Sequence, residues 1–453
     1  MIQTKSMQRA FLSLALSVAA CSAFAAPTSI NPVSNNLNSI NIDKPVKSVE
    51  KKVINWRRDI HQHPELSNRE TRTAALVAKH LKSLGMQVET NIAHTGVVGF
   101  LKGAKPGPTV MLRADMDALP VTEKTDLPFK STIVTKYMGE DVGVMHACGH
   151  DTHVAMLMGT AEVLASVKNE LRGNILFVFQ PAEEGAPEGE EGGAELMLKQ
   201  GIFKKYKPEV AFGLHIMSSL NSGQIGYRSG PIMASADTFD ITVNGKQTHG
   251  SAPWNGVDTI ATAAQIVTGV NQIISRQIDI TKEPAIVSFG KISGGVRDNI
   301  IPDSVNMIGT IRNFDMDIRE QIFKRIETTA THIALASGAK SDVKINKGYP
   351  VTVNNPALTA QMLPTLSTIV GKDNLIEVPK VTAAEDFSFY AQEVPGLFIF
   401  LGGTPVGQDP NQAAYNHSPY FTVDESSFKV GTKALAQLAI DYLAMKKTHP
   451  SES

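Results

Sequence analysis

Three short apolar runs in the sequence each lead into polar residues that can bind a metal ion. Residues 109–114 lead into Asp115-Met116-Asp117, residues 174–180 into Pro181-Ala182-Glu183-Glu184, and residues 210–214 into His215. The length of these runs and their β-branched and aromatic content are typical of buried strands. Helices are predicted between them, one of them at residues 151–167 with Asp151 as its N-cap. Strands that alternate with helices predict a largely parallel α/β sheet, whose ligands gather at the carboxyl ends of the strands.

The segment Cys148-Gly149-His150 places a thiol and an imidazole two residues apart at the start of that predicted helix. Thiolate and imidazole together favour zinc-like ions over calcium or magnesium, which prefer oxygen ligands. The sequence contains two cysteines, and the other one, Cys21, lies within an apparent export signal. Cys148 is therefore expected to be the thiol of the mature chain, where metal ligation would protect it from oxidation. An isolated cysteine is more often a small buried hydrophobic residue, but His150 beside it favours the metal site.

The first 25 residues are typical of a secretory signal peptide, so we predict an exported, periplasmic protein. A basic start precedes an apolar run at residues 10–20, and the small residues Ala23 and Ala25 form a cleavage site. The run is too short for a helix that spans a membrane. A competing interpretation is a lipoprotein anchored through Cys21, because Val18-Ala19-Ala20-Cys21 resembles a bacterial lipobox.

The composition describes an ordinary soluble globular protein. The formal net charge is −1, 19% of the residues are charged and 42% are hydrophobic, and no basic patch or second apolar span stands out. These values argue against a nucleic-acid binder, a membrane-surface protein and a membrane-spanning protein. After a polar linker at residues 26–45, about 400 residues remain, which is enough for two domains.

Residues 232–350 follow a different pattern from the rest of the chain. Strand-like and helix-like segments occur there in the order β-α-β-β-α-β, at residues 238–243, 257–274, 285–292, 304–311, 318–336 and 342–346. This order is that of a ferredoxin-like α+β fold. We therefore predict a large α/β domain formed by residues 46–231 and 351–453, with a smaller ferredoxin-like domain, called the satellite domain below, inserted between them.

Seven short motifs follow one another along the chain. They are WRRDIHQHPEL at 56–66, RADMDALP at 113–120, CGHD at 148–151, QPAEEG at 180–185, GLH at 213–215, AEDFS at 384–388 and NHSP at 416–419. Each motif alone is weak evidence, but the seven in this order are specific. From about Trp56 to about Leu443, the chain resembles the aminoacylase-like di-metal amidohydrolases, in the branch of hippurate hydrolases, N-acyl-amino-acid hydrolases and plant auxin-conjugate hydrolases. The resemblance implies a large mixed-sheet hydrolase domain with an inserted satellite domain that serves dimerisation.

The resemblance implies that two divalent metal ions are held by five side chains: Cys148, His150, Glu184, His215 and His417. Zinc or manganese is expected first, and cobalt or nickel also suits such ligands. His417 lies in a loop, where local sequence alone would indicate an exposed histidine. Two adjacent ions can lower the pKa of a water molecule and polarise a carbonyl, so a separate carboxylate must take the proton of the water. Glu183 is predicted to be that general base, against the alternative of a solvated loop residue.

The resemblance also assigns roles to the satellite domain. His249 would stabilise the oxyanion of the reaction and, as in dimeric relatives, would reach the site of a neighbouring subunit, which predicts a homodimer. Asn299 and Arg312 would orient the substrate and its carboxylate, since a guanidinium suits bidentate binding of a carboxylate. The alternative for Arg312 is an exposed strand residue. The chain departs from the family at Gly250 and at Arg297-Asp298, which leaves the substrate preference more open than the chemistry.

Three aspartates are predicted to support the metal ligands. Asp117 and Asp151 are expected behind metal-bound histidines, which usually donate a hydrogen bond to a carboxylate or carbonyl. Asp115 stands where other branches of the family carry a metal-binding histidine, so it is either a supporting residue or a ligand. Packing is the expected role of three residues of the first motif: His61, His63 and Glu65. The remaining histidines are predicted to be non-catalytic: His80, His94, His146, His153, His332 and His449.

These assignments predict hydrolysis of the amide bond of N-acyl amino acids, hippurate-like or related conjugates, to a carboxylic acid and a free amino acid. A dipeptidase or carboxypeptidase would use the same metal site with a different substrate pocket. A non-enzymatic alternative is a periplasmic protein that binds metal or solute without turnover. Glu183 distinguishes an enzyme from a binding protein, since a storage site gains little from a carboxylate that does not bind the metal.

Overall fold

The computed structural model describes residues 40–445. The predicted signal peptide, Cys21, most of the predicted linker and His449 lie outside the described residues. The first described helix begins at Asp43, so the last residues of the predicted linker are helical. Within the described range, none of the helices combines the length and the apolar character that a membrane span requires.

The described chain forms eighteen strands and ten α-helices. The strands are, in chain order, β1 (Gln87–Ile92), β2 (Gly96–Lys102), β3 (Lys105–Asp115), β4 (Val134–Tyr137), β5 (Glu140–Gly143), β6 (Arg172–Gln180), β7 (Pro208–Asn221), β8 (Ile225–Tyr227), β9 (Gly230–Met233), β10 (Asp237–Asn244), β11 (Thr248–His249), β12 (Ala285–Ser293), β13 (Ile300–Ile301), β14 (Ser304–Asn313), β15 (Lys340–Asn346), β16 (Thr352–Asn354), β17 (Leu375–Glu377) and β18 (Gly396–Thr404). The helices are α1 (Asp43–Gln62), α2 (Thr71–Ser83), α3 (His150–Ser166), α4 (Gly193–Lys199), α5 (Ile202–Tyr206), α6 (Thr259–Gln277), α7 (Met316–Ala336), α8 (Pro356–Val370), α9 (Phe387–Glu393) and α10 (Phe428–Met445).

Eight strands form one large mixed sheet in the order β1-β2-β6-β3-β7-β18-β8-β17. Its centre is parallel, because β3 runs in the same direction as its neighbours β6 and β7, and β7 in the same direction as β18. The three predicted apolar runs are the cores of β3, β6 and β7. β7 continues to Asn221, so that His215 lies within the strand rather than after it. Asp115 and Gln180 are paired in register, which places the carboxyl ends of β3 and β6 at one edge of the sheet.

Helix α3 has no polar face, and it is buried along nearly its whole length. Its side chains from His150 to Leu164 are almost all inaccessible to solvent. A helix of this kind must be covered on all sides, and it packs against α1, α10 and the sheet. Gly159 allows the close contact with α1, since a Cβ at this position would lie 2.5 Å from Val53 Cγ2. The packing holds the N-terminus of α3 at the carboxyl edge of the sheet, where His150 and His153 contact residues that follow β3 or end it.

The satellite domain is an antiparallel sheet of four strands in the order β12-β14-β10-β15. Helices α6 and α7 share a hydrophobic core with this sheet. In β10, the side chains of Phe239, Ile241 and Val243 are buried in that core, while the residues between them are more accessible. The alternation is that of a sheet with one covered face. The predicted fold class, a large mixed-sheet α/β domain with an inserted ferredoxin-like domain, is confirmed.

Two chain segments connect the satellite domain to the large sheet, and polar contacts hold them together. The strands before and after the insertion, β9 and β16, pair antiparallel. Beside them, the buried carboxylate of Asp237 accepts hydrogen bonds from Arg319 Nε at 2.9 Å and from the amide of Gly348 at 3.0 Å. Tyr349, in the returning segment, donates its hydroxyl to the carbonyl of Glu183 at 2.6 Å. The returning segment therefore contacts the backbone of the predicted general base.

Candidate metal centre

The side chains of the five predicted ligands meet at the carboxyl edge of the large sheet. Cys148 Sγ lies 3.3 Å from His215 Nε2 and 3.3 Å from His417 Nε2. Glu184 Oε1 lies 3.0 Å from His417 Nε2 and 3.9 Å from His150 Nε2. The fold thus brings together side chains that are as many as 269 positions apart in the sequence.

A left-handed glycine sets the directions of Cys148 and His150. Gly149 has a φ of 99° immediately before α3. A Cβ at this position would lie 2.5 Å from Ile216 Cγ2, so both the backbone conformation and the available space favour glycine. His150 is the first residue of α3 and Cys148 precedes the turn. The turn allows both side chains to face the same centre.

Asp151 plays neither of the roles predicted for it. The N-cap of α3 is Gly149, and Asp151 lies inside the first turn of the helix. Its carboxylate accepts hydrogen bonds from Arg57 Nε at 2.9 Å and from His61 Nδ1 at 2.8 Å, and not from a ligand histidine. Burial would raise the pKa of Asp151, but Arg57 and His61 hold it well below its usual range. The buried guanidinium of Arg57 explains why Asp151 does not take the predicted roles, because a buried charge requires a partner.

The loop that carries His417 is fastened to the Cys148 segment by hydrogen bonds. The amide of His417 donates to the carbonyl of Ala147 at 2.8 Å. Asn416 Nδ2 donates to the carbonyls of Cys148 at 2.9 Å and Ile216 at 3.1 Å. His417 has a φ of 74°, which is uncommon for a residue other than glycine. These contacts explain how a loop histidine enters the site.

Hydrogen bonds at Nδ1 leave the Nε2 atoms of two histidines available to a cation. His150 Nδ1 lies 2.9 Å from the carbonyl oxygen of Asp117 and 3.2 Å from Asp117 Oδ1, so Asp117 lies behind this imidazole. His215 Nδ1 donates to the carbonyl of Ile216 at 2.8 Å. A proton on Nδ1 fixes the tautomer in which Nε2 carries the lone pair.

The electrostatics of the cluster fit divalent cations. Burial and the neighbouring carboxylates of Glu184 and Glu183 raise the pKa of the Cys148 thiol well above its usual range, so a thiolate there requires added positive charge. Burial lowers the pKa of His150, but Asp115 and other nearby carboxylates raise it to about 10. His150 Nε2 is buried and has no hydrogen-bond partner among the described residues. A thiolate, imidazoles and a carboxylate form a ligand set that suits zinc-like ions.

Glu183 lies beside the ligands but makes a different contact. Its Oε1 accepts a long hydrogen bond of 3.4 Å from the amide of Asp386, and its Oε2 lies 3.9 Å from His150 Nε2. Burial, together with the charges of Glu385, Glu184 and Asp386, raises the pKa of Glu183 well above its usual range. A carboxylate in such surroundings holds a proton readily, which suits a group that takes up a proton during a reaction.

A buried arginine that the sequence analysis did not single out pairs with the carboxylates next to the site. Arg113 Nη1 donates to Asp115 Oδ2 at 2.6 Å, and Arg113 Nη2 lies 2.6 Å from Asp386 Oδ1 and 2.9 Å from Glu385 Oε1. Burial raises the pKa of Glu385 to about 8, although Arg113 acts in the opposite direction. The signals in the sequence are an arginine within an apolar strand and the acidic pair of the AEDFS motif.

Both carboxylate oxygens of Asp115 have partners, which favours the supporting role over metal ligation. Oδ2 accepts from Arg113, and Oδ1 lies 2.6 Å from His153 Nδ1. His153 Nε2 accepts the amide N–H of Ile216 at 2.9 Å, so both nitrogens of His153 are used. Although His153 lies close to His150 and Asp115, it links α3 to β7 and has no lone pair left for a metal ion.

The first motif supports the site through hydrogen bonds as well as through packing. His61 contacts Asp151 through Nδ1 at 2.8 Å and Glu123 through Nε2 at 3.2 Å. Glu65 accepts two amide N–H groups in the first turn of α2, at 2.8 and 2.9 Å. His63 Nδ1 lies 2.8 Å from the carbonyl oxygen of Asp59. The expectation of packing alone was therefore incomplete.

Within one chain, the three predicted satellite residues do not lie at the group of predicted metal ligands. His249 is exposed on β11, and its Nδ1 accepts hydrogen bonds from Ser251, from the amide at 3.0 Å and from Oγ at 2.8 Å. Asn299 is also exposed. It lies next to the His249 segment, because its carbonyl accepts the amide of Gly250 at 2.8 Å. Arg312 is half-buried in β14. Over residues 40–445, no hydrogen bond or ion pair of these three side chains reaches a predicted metal ligand.

Comparison with known proteins points to one family. Residues 111–441 match the family described as Peptidase family M20/M25/M40. The chain is 44% identical over 400 residues to thermostable carboxypeptidase 1 of Saccharolobus solfataricus, which covers 88% of this chain and 97% of that protein. It is 37% identical over 382 residues to the N-acetyl-L-cysteine deacetylase of Bacillus subtilis, over 84% of this chain and 86% of that protein. The crystal structure of the Bacillus subtilis YXEP protein, described as a dinuclear metal-binding peptidase of the M20 family, superposes with a TM-score of 0.73 at 33% identity, over 88% of this chain and 99% of that one.

Proposed function

Since this chain belongs to peptidase family M20/M25/M40 and is a metal-dependent hydrolase, we propose that it cleaves the amide bond of N-acyl amino acids to a carboxylic acid and a free amino acid. The observation that carries this proposal is the position of Glu183. Its buried carboxylate lies 3.9 Å from His150 Nε2, while the short contacts of the cluster, at 3.0–3.3 Å, join Cys148, Glu184, His215 and His417. A protein that only stored metal would gain little from such a group.

The proposed roles of the side chains follow from their positions. Two divalent ions, zinc or manganese first, would be held by Cys148, His150, Glu184, His215 and His417. When bound, such ions lower the pKa of a water molecule and polarise the carbonyl of the substrate. Glu183 accepts the proton of that water and passes it to the nitrogen of the leaving amino acid. The proton transfer lets the amino acid leave as a neutral amine.

The free carboxylate of the substrate is proposed to bind in the satellite domain. Arg312 Nη1 donates to Thr310 Oγ1 at 2.6 Å and to the carbonyl of Ile311 at 3.0 Å. Within the part of the chain that the structure describes, no carboxylate forms an ion pair with Arg312. A substrate carboxylate would be a suitable ion-pair partner for this guanidinium. Asn299 would hold the same end of the substrate.

A homodimer is proposed because His249 does not reach the metal cluster of its own chain. The imidazole is exposed, and Ser251 occupies its Nδ1, which leaves Nε2 to donate a hydrogen bond to an oxyanion. Apolar side chains near this end of the satellite domain are also exposed, with 78% of Trp254 and 87% of Val296 accessible. A second copy of the chain could cover such side chains. We also propose that the protein is exported to the periplasm, which rests on the sequence of residues 1–25 alone.

A carboxypeptidase is the second candidate, because thermostable carboxypeptidase 1 of Saccharolobus solfataricus is 44% identical to this chain. Both activities cleave an amide bond whose nitrogen belongs to an amino acid with a free carboxylate. They differ in the group on the other side of the carbonyl, which is a simple acyl group in one case and an amino acid residue in the other. The metal site and Glu183 would serve both.

We expect purified protein to contain two zinc or manganese ions per chain and to hydrolyse N-acyl amino acids faster than free dipeptides. Elemental analysis gives the metal content, and release of the free amino acid from a panel of substrates gives kcat/KM on the same sample. N-acyl amino acid amides are the matched controls, because they lack the carboxylate that Arg312 is proposed to bind. Turnover confined to dipeptides or longer peptides would favour the carboxypeptidase, and turnover of neither class would reject both candidates.

His249→Ala is expected to lower kcat by about 100-fold, because it removes a donor to the oxyanion. If the imidazole comes from the neighbouring subunit, mixing this inactive variant with Glu183→Gln should restore activity. Half of the reassorted dimers are mixed, and each has one intact site, so about a quarter of the wild-type activity is expected. Activity assays after exchange of subunits measure this recovery. A mixture that stays inactive although the subunits have exchanged would place His249 in the site of its own chain.

A further inference from the structure

Glu70 is a buried glutamate whose side chain has no part in the metal cluster. None of its surface is exposed. It precedes α2 at the N-cap position, but its side chain makes no capping hydrogen bond. Glu65 instead accepts amide N–H groups of the first turn. The helix therefore does not account for a buried carboxylate at this position.

The carboxylate of Glu70 joins two other segments of the chain. Its Oε1 accepts the amide N–H of Ala182 at 2.9 Å, and its Oε2 accepts the hydroxyl of Thr95 at 2.5 Å. Thr95 lies in the turn between β1 and β2, and Ala182 lies in the turn after β6. Ala182 is itself buried, so its amide depends on a partner within the protein.

The backbone of Ala182 has a conformation that an alanine rarely adopts. Its φ is 53°, in the left-handed region that favours glycine. Glu183 and Glu184 follow directly, one beside the ligands and the other among them. A left-handed residue at this point reverses the direction of the chain after β6. If Ala182 relaxed to a negative φ, both glutamate side chains would move.

Two further hydrogen bonds hold the residues after the turn. The hydroxyl of Tyr349 donates to the carbonyl of Glu183 at 2.6 Å, and the amide of Glu184 donates to Asp117 Oδ2 at 2.9 Å. Neither bond involves Ala182. Over the described residues, the amide of Ala182 is bound by Glu70. Glu70 is thus the contact that acts on the left-handed residue itself.

We propose that Glu70 is a positioning residue that keeps Ala182 in the left-handed conformation and thereby fixes the directions of Glu183 and Glu184. The proposal rests on the proposed function for the roles of the two glutamates. Removal of the Glu70 carboxylate should affect two properties together, because Glu183 is the proposed base and Glu184 a proposed metal ligand. Displacement of Glu184 should lower the affinity for metal, and displacement of Glu183 should lower kcat, while KM should change little.

The test compares Glu70→Gln and Glu70→Ala in the full-length metal-containing protein. Glutamine keeps an oxygen that accepts the amide of Ala182, so Glu70→Gln should retain wild-type metal content and kcat. Glu70→Ala should bind metal more weakly and lose about 10- to 100-fold in kcat, as is common when a group that orients a ligand is removed. In a competition titration against a chelator, metal affinity is read without any activity measurement.

A double variant tests the backbone part of the proposal. Glycine adopts positive φ without steric cost, so Ala182→Gly should restore much of the metal affinity and kcat that Glu70→Ala loses. Asp441→Ala is the control, since Asp441 is a similarly buried carboxylate that accepts hydrogen bonds from Thr365 at 2.6 Å and Gln437 at 2.7 Å, between α8 and α10. It should change the melting temperature and leave metal affinity and kcat unchanged.

Three outcomes would overturn the proposal. The first is a Glu70→Ala protein with wild-type metal affinity and kcat, and the second is a double variant no better than Glu70→Ala. The third is a folded Glu70→Gln protein that has lost tenfold or more in kcat, and this outcome remains decisive if Glu70→Ala does not fold. If the wild-type protein hydrolyses none of the substrates offered, the proposed function fails, while the metal affinities of the variants still test the role of Glu70.

Discussion

Glu183→Gln is expected to lower kcat by about 10²- to 10⁴-fold and to leave the metal content of the protein nearly unchanged. Glutamine has almost the same shape and can keep the contact with the amide of Asp386. Its side-chain amide cannot accept the proton of a water molecule, which is the step assigned to Glu183. Steady-state kinetics at saturating substrate and elemental analysis of the same preparation measure the two properties.

Glu184→Gln is the matched control for this prediction. The two glutamates are adjacent, but Glu184 Oε1 lies 3.0 Å from His417 Nε2, among the proposed ligands. A neutral amide is a weaker metal ligand than a carboxylate, so Glu184→Gln should lose metal as well as activity. The pair therefore separates proton transfer from metal binding. Turnover retained by Glu183→Gln would remove the proposed base, and loss of metal from it would make Glu183 a ligand.

The strands and the polar residues at their ends could be predicted because local patterns encode them. An apolar, β-branched run determines a buried strand, and the edge of the sheet then follows from the parallel order. Asp115, Glu184 and His215 were placed in this way, although β7 extends further than its apolar run. His417 depends on Asn416, which binds carbonyls 268 and 200 positions away. His417 could be predicted as a metal ligand from the order of the seven motifs, but not from the residues around it.

The features that the sequence did not predict depend on partners that are distant along the chain. Arg113 meets Asp386 across 273 positions, and nothing near either residue indicates this pairing. Asp151 is a residue type that commonly caps helices, but its carboxylate forms an ion pair with Arg57, 94 positions away. Ala182 gives no signal at all, since left-handed conformations are expected at glycine. Such features are decided by competition between a local preference and a buried charge or hydrogen bond.

Arg113→Met is expected to lower the free energy of unfolding by about 3–5 kcal/mol. Methionine fills much of the space of the arginine stem in a position that is almost completely buried. It removes the positive charge that lies between Asp115, Glu385 and Asp386. Carboxylates that remain buried without this partner are strongly destabilising. Urea titration of the wild-type and variant proteins measures the difference through the midpoint and the slope.

The size of this loss is expected to depend on pH. Burial raises the pKa of Glu385 to about 8 and that of Asp386 to about 6 in the folded protein, above the values of about 4 in an unfolded chain. Groups whose pKa is raised by folding contribute stability below about pH 4 that is lost as the pH rises through the folded-state pKa. Removing Arg113 raises both values further, so the variant should lose more stability at pH 8 than at pH 5. A chelator in every sample keeps competition between protons and metal out of the comparison.

Arg69→Met is the control, because the same substitution there breaks an ion pair at the surface. The side chain of Arg69 is 56% exposed, and Nη2 lies 2.5 Å from Glu190 Oε1. Exposed pairs contribute about 0–1 kcal/mol, so this variant should unfold close to the wild-type midpoint at both pH values. If Arg113→Met also unfolded at the wild-type midpoint at pH 8, the carboxylates beside the site would already be neutral. The electrostatic role assigned to Arg113 would then be wrong.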